Sequence, residues 1–331
     1  MQYSNYKNYQ LFGTDTDIHA QDLYDKSLYK KTYLVPPAGK NSYWKDINQI
    51  VQNHKIDFAL IQPELEVLEW SKRARSEDLP CKTLIPEYKL AKVLYDKALM
   101  SEYLFNSKLI PKTFVLNSDF SNMKDIENEI GYPFWIRSAS GSMGLGSLKI
   151  KDSKALKNWV FINPDVEKFI ISEYLPGRNL VCKMLYYNGS LIRAACGERV
   201  NYIMSKIVPS GITGNTSFGR LINDENIFNC AKKTMDILFK KTNSKKHGFY
   251  SVDLKEDAQG KPYITEVNIR HIAFSLCFSM AGMNFPEDSI RLLNEDSNYD
   301  EKFNLFEFDK DLIFLRNVDT LPIVMKESEL L

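Results

Sequence analysis

The stretch Tyr263-Ile-Thr-Glu-Val-Asn-Ile-Arg-His271 constrains this chain more than any other. Its β-branched and aromatic residues read as a strand, with Glu266, Asn268 and Arg270 at alternate positions. Alternate residues of an extended strand project from one face. One row therefore offers a carboxylate, an amide oxygen and a guanidinium. Two oxygen donors suit a hard cation, Mg²⁺ with Mn²⁺ as an alternative, and an Arg neutralises phosphate oxygens beside the metal. Upstream, Gly248-Phe-Tyr-Ser-Val-Asp-Leu254 reads as the partner strand, joined by a turn at Asp257-Ala-Gln-Gly260. Asp253 is then placed to supply a third oxygen. A solvated strand face shows the same polar alternation, so the remainder of the chain has to decide.

A chain of 331 residues can bury a sizeable core in two or three domains. Its 43 basic and 42 acidic residues nearly cancel, which gives no electrostatic case for a nucleic-acid or membrane partner. Cys81, Cys182, Cys196, Cys230 and Cys277 are scattered without a CxxC pair, as expected of reduced thiols in a cytoplasmic protein. The N-terminus has no apolar leader and no apolar run is long enough to span a bilayer.

Strand and helix patterns alternate from residue 8 to residue 85: strands at 8–16, 33–36, 56–61 and 82–85, helices at 42–53 and 64–75. That alternation predicts a small parallel α/β domain over residues 1–86. It lacks the opening strand and Gly-rich turn of a nucleotide fold, so it is either trimmed or truncated. One long helix is expected from 87 to 106, carrying Lys97. Strands follow at 110–115 and 132–138, with a helix at 121–130 stopping at Gly131.

Next comes Ala139-Ser-Gly-Ser-Met-Gly-Leu-Gly146 and a second strand at 147–151. A dinucleotide fingerprint needs a helix after the glycines, and a Walker A loop needs Gly-Lys-Ser/Thr. Neither fits. A hairpin of small residues can still fold over a triphosphate and give it backbone N–H groups. Downstream lie a helix at 154–161, a strand at 168–175 ending in Pro176-Gly177, and strands at 180–187 and 190–199 joined by Asn188-Gly189. Residues 201–219 read as a polar mobile segment, 224–241 as an amphipathic helix and 272–281 as an apolar helix. No chemistry is legible after Phe285.

The ordered set of Lys97, Arg137, the Gly hairpin, Ile170-Ile-Ser-Glu-Tyr-Leu-Pro-Gly177, Asp253 and Glu266-x-Asn268-x-Arg270 resembles the ATP-grasp superfamily. It is most similar to the branch of the carbamoyl-phosphate synthase large subunit and related carboxylate–amine ligases, over about 88–282. The resemblance implies a pre-ATP-grasp domain (1–86), an ATP-grasp domain (87–295, small lobe about 110–175, large lobe about 176–295) and a C-terminal extension (296–331). It implies that ATP is bound by Lys97, Arg137, Ser140, Gly141, Ser142, Gly144, Glu173, Tyr174, Leu175 and Asn179. Asp253, Glu266 and Asn268 would hold Mg²⁺, and Arg270 with Arg137 would be catalytic.

Asn179 or Leu180 stands where relatives have a Glu for the ribose, and Asp253 where carbamoyl-phosphate synthases use Gln. His271 is expected to fill space. Arg193, Arg199 and Lys206 are candidates for gripping the acceptor or the γ-phosphate.

The activity implied is an ATP- and Mg-dependent carboxylate–amine or carboxylate–thiol ligase working through an acyl phosphate. Its partners would be a small carboxylate and an amine, with a homodimer as the assembly frequent among relatives. The alternatives are a non-catalytic binder on the same fold and a phosphotransferase.

Overall fold

The structure, a computed structural model, describes residues 9–141 and 144–317. At the N-terminal end, Phe12–Asp15 pairs in parallel with Lys31–Leu34, and Phe58–Ala59 in parallel with Lys82–Thr83. The expected parallel α/β pattern is present, but as two separate strand pairs. The strand expected at 56–61 shrinks to two half-buried residues, because only Lys82 and Thr83 lie alongside to extend its ladder. Helices Tyr43–His54 and Glu64–Arg73 pack Tyr43, Val67 and Trp70 into the main core.

The single helix expected over 87–106 is two: Tyr88–Tyr95 and Lys97–Leu104. Asp96 breaks it with an extended backbone, and its carboxylate accepts from the N–H groups of Ala98 (2.8 Å) and Leu99 (3.2 Å). Asp is a strong N-cap because it satisfies donors that a helix start leaves open. The break makes Lys97 the first residue of a new helix.

Two sheets follow. The smaller runs Thr113–Val115, Phe169–Glu173, Phe134–Ser138, Leu148–Ile150 in spatial order, all neighbours antiparallel. It has its own core of Ile126, Phe134, Ile136, Leu156 and Ile171. The larger has seven strands among the described residues, in the order Pro262–Asn268, Gly248–Glu256, Asn179–Tyr187, Ser190–Tyr202, Thr216–Ile222, Ile313–Leu315, with Asn304–Leu305 beside Ser190–Tyr202.

Period-2 alternation sorts its two faces. Leu180, Cys182, Met184 and Tyr186 meet helix Glu225–Thr242 in the main core, while Val181 and Leu185 meet a second, aromatic core.

Two expectations change here. The segment 201–219, expected to be mobile, contains part of the strand Thr216–Ile222, held antiparallel to Ser190–Tyr202. Residues from Phe285 onward, where no chemistry is legible in the sequence, form helix Phe285–Leu293 and two strands of the large sheet. Strands of two and three residues carry too little periodicity to be seen alone; long-range pairing creates them. The apolar helix expected at 272–281 spans only Ser275–Met280.

Candidate active site

The two sheets face each other across a cleft that encloses, and opens onto, about 1020 Å³ of empty space. Its walls include Pro111, Trp135, Leu175, Leu180 and Leu254, and its polar floor is Asp253, Glu266, Arg199 and Lys97.

Lys97 is tied down at both ends. The Asp96 cap directs its backbone N–H to Ala139 O (2.8 Å). Its Nζ donates to Gly141 O (2.8 Å) and lies 3.4 Å from Glu266 Oε2. The helix start, the Gly hairpin and the Glu266 strand thus converge on one ammonium, which a plain surface lysine would not do.

Arg137 repeats this from the small sheet. Its Nη2 donates to Thr265 O (2.5 Å), and Nη1 lies 3.8 Å from Glu266 Oε2. Its Nε is buried without a partner. Burial draws its pKa down, against the opposing pull of Glu266 and Asp253.

Asp253 and Glu266 sit directly opposite each other across the predicted hairpin, just before a bulge. Asn268 Nδ2 lies 3.2 Å from Asp253 Oδ2 and 3.4 Å from Glu266 Oε1. Burial raises the Asp253 pKa; Arg199, 2.6 Å away, opposes the rise and Glu266 adds to it. Burial would raise Glu266 too, but the Lys97 ammonium and the Arg137 guanidinium hold it below the usual carboxylate range.

Two facing carboxylates and an amide suit Mg²⁺ in donor chemistry. The Asn268 amide would have to turn its oxygen toward them, a half-rotation of its last bond. No group of three or more His, Cys, Asp or Glu among the described residues is arranged as a metal site; the third donor here is an amide.

The hairpin expected over 139–151 is present as antiparallel strands. Gly141, Gly144 and Gly146 all have positive φ (84°, 73°, 62°), the region that favours glycine. A Cβ on Gly144 would lie 2.5 Å from Ile212 O, so this hairpin closes directly onto the 203–214 segment of the large lobe. Ser142 lies outside the described residues, and Ser140 is exposed and off the cleft wall.

Glu173, Tyr174, Leu175 and Asn179 line the cleft as expected. The Glu173 carboxylate accepts from the Lys112 N–H (2.8 Å), and the Glu173 N–H donates to Lys112 O (3.1 Å). The Tyr174 ring is covered by Lys149 Nζ at 3.8 Å. Asn179 Oδ1 accepts from Lys255 Nζ (3.0 Å). Lys255 also lines the cleft and went unnoticed in the sequence, although its place two residues after Asp253 on the same strand face was legible.

Arg270 departs from expectation. The strand ends at Asn268, so alternation no longer dictates where Arg270 points. Its Nε faces Glu64 Oε1 of the N-terminal region at 3.7 Å, and it is not on the cleft wall. Of the three gripping candidates, only Arg199 reaches the site. Arg193 binds Lys302 O, Asp300 O and Asp288, and Lys206 is exposed. His271 fills space, its half-buried ring stacked on Phe249 at 3.9 Å.

Solved structures share this architecture. An N5-carboxyaminoimidazole synthetase from Staphylococcus aureus complexed with ADP superposes at a TM-score of 0.67 and 15% identity, over 95% of this chain and 75% of the other. A biotin carboxylase–βγ-ATP complex from Campylobacter jejuni superposes at 0.65 and 13%, over 88% and 66%. Both have the two-lobed ATP-grasp architecture.

The chain has the ATP-grasp fold. A D-alanine–D-alanine ligase from Bacillus anthracis, of the same fold, superposes at 0.58 and 14% identity, over 87% and 97%. This ATP-grasp chain thus spans about two thirds of the biotin carboxylase and nearly the whole D-alanine–D-alanine ligase. No protein-family model matches it, and no curated protein matches it by sequence. Among the described residues no helix is long and apolar enough to cross a membrane.

Proposed function

We propose that this chain is an ATP- and Mg-dependent ligase of the carboxylate–amine branch that includes the carbamoyl-phosphate synthase large subunit. It joins a small carboxylate to an amine or a thiol through an acyl phosphate and releases ADP and phosphate. The observation that carries this reading is the convergence of Lys97 and Arg137 on Glu266, beside Asp253 and Asn268, on the floor of a cleft roofed by the Gly hairpin.

In this reading the adenine lies along the Glu173–Leu175 backbone, Asn179 and Lys255 face the ribose, and Lys97 and Arg137 hold the phosphates. Mg²⁺ on Asp253, Glu266 and Asn268 would neutralise charge on the β- and γ-phosphates. The substrate carboxylate attacks the γ-phosphorus as its bond to ADP breaks. The nucleophile then attacks the acyl carbon, and phosphate leaves. Phosphoryl transfer asks for positioning and charge neutralisation rather than a nucleophilic side chain. Closure of Gly144 against Ile212 shields the acyl phosphate from water. Arg199, already within the cleft, stabilises the transferred group; Arg270 joins it on exchanging Glu64 for the substrate.

The test is ADP release from Mg-ATP with pooled carboxylates and amines, in wild type and Glu266→Gln. The expected result is substrate-dependent ADP and phosphate, reduced roughly 10²–10³-fold in the variant. A phosphorylated product would instead mark a phosphotransferase. Mg-ATP binding without turnover from any pool would mark a non-catalytic binder.

A further inference from the structure

Lys183 is the most anomalous charged side chain of the large lobe. It is fully buried, in a strand whose neighbours are otherwise apolar. It lies opposite Ser251, two residues along from Val181, which lies opposite Asp253. Residues two apart share a face, so Lys183 stands on the Asp253 side of the sheet, about 7 Å deeper along the strand.

Its Nζ has one hydrogen-bond partner, Ser275 Oγ at 2.8 Å. That hydroxyl gives its own proton to Ile272 O (2.9 Å). The rest of the ammonium faces aromatic rings, Phe278 at 4.2 Å and Phe274 at 5.0 Å. No carboxylate among the described residues is in ion-pair contact with it.

A buried ammonium with two hydrogens unanswered is costly unless something neutralises it. The surrounding charges do not. Glu266 is shared by Lys97 and Arg137, and Asp253 is engaged by Arg199. Lys97, Arg137 and Arg199 already make three cations against these two carboxylates, and burial, with Arg199 nearby, pushes the Lys183 pKa well below the usual lysine range. A nucleotide at Lys97 and Arg137 leaves Lys183 as it was. Arg199 is paired with Asp253 through Nη2 (2.6 Å), but its Nε is buried without a partner and its guanidinium lies 5.1 Å from the same Phe274 ring.

Phe274 therefore lies against two basic side chains, Lys183 without a carboxylate partner and Arg199 paired with Asp253 alone. It sits in the segment that leaves the metal strand just after Arg270, where the cover is one six-residue helix, Ser275–Met280, whose Leu276 and Met280 face solvent.

We propose that Lys183 and Arg199 form an oxyanion subsite for the acceptor half of the reaction, whose place Phe274 holds in the free enzyme. The ligand is the carboxylate to be activated or the phosphate derived from it. This rests on the ligase reading and adds where the second substrate binds. Entry of the anion requires the 271–280 segment to lift Phe274 away from the pair.

The experiment saturates the enzyme with MgADP, then titrates in inorganic phosphate and, separately, acetate, by calorimetry. Wild type should bind the anion, and Lys183→Met should weaken it roughly tenfold to a hundredfold with MgADP affinity unchanged. Loss of phosphate binding alone assigns the product phosphate; loss of acetate binding assigns the substrate carboxylate. Phe274→Ala should tighten anion binding, because the ring no longer competes. Equal anion affinity in wild type and Lys183→Met, or no anion binding by MgADP-saturated wild type, overturns the subsite and leaves the nucleotide site standing. Absence of MgADP binding removes the ligase reading first and the subsite with it. Should Lys183→Met not fold, Phe274→Ala decides alone: anion binding no tighter than wild type overturns the proposal.

Discussion

The two ends of the cleft are built differently. At the nucleotide end, Lys97 and Arg137 are each held by a backbone carbonyl and aimed at one carboxylate. At the proposed acceptor end, Arg270 is turned to Glu64, while Lys183 and Arg199 lie against aromatic rings. The first end is complete before any ligand arrives. The second is filled by its own side chains and, on the proposed reading, would have to rearrange to admit a substrate. Secondary-structure frames fix the first: an N-cap, a hairpin and two facing strands. The second depends on the 271–280 segment, which lies outside the sheet.

Three substitutions would break or sharpen this contrast. The largest effect is expected from Gly144→Ala. The new methyl meets the Ile212 carbonyl at 2.5 Å, which no rotamer relieves, and the backbone has φ +73°. The roof then cannot seat, and ADP release should fall roughly 10²-fold, the scale of a site held about 1 Å out of place. Gly260→Ala is the control, since it has φ +81° but nothing within 4 Å and should leave turnover intact.

The next effect separates the ends by pH. At the acceptor end, burial and then Lys183 push the His271 pKa down from 6.5 to about 3. A base with a depressed folded-state pKa stabilises the fold fully above the unfolded value. That contribution is lost as pH falls from 6.5 toward about 3, at about 1.4 kcal/mol per pH unit. Denaturant midpoints measured between neutral and mildly acid pH should fall less steeply in His271→Phe, which keeps the stack on Phe249, than in wild type.

The smallest effect belongs to Asp96→Ala at the nucleotide end. Removing the cap should lower stability by about 1 kcal/mol. It should also weaken MgADP binding, because Lys97 loses its fixed start. Denaturation and titration of the same variant check both.

The same contrast governs what the sequence revealed. Asp253 opposite Glu266 was legible, because alternation in two strands and a Gly-containing turn set the register locally. The Gly hairpin was legible for the same reason, whereas the Glu173–Leu175 wall followed only from the resemblance to the ATP-grasp superfamily. The helix break at Asp96 was not, since the apolar period runs through it, although an Asp before Lys97-Ala98 is an N-cap signal. Nothing in the strand 180–187 singles out Lys183. Its burial comes from Phe274 and Phe278, some ninety residues later, which local periodicity does not encode. Arg270 seemed to continue the Glu266–Asn268 row; the strand ends before it.

The central claim is that the cleft between the two sheets binds Mg-ATP through cations brought from separate elements onto Glu266. Calorimetric titration of Mg-ATP into wild type and Arg137→Met tests it most directly. The account predicts one site per chain in wild type and binding weaker by at least about tenfold in the variant, with the fold retained. Wild type that binds no Mg-ATP, or a variant that binds it equally well, would contradict the account.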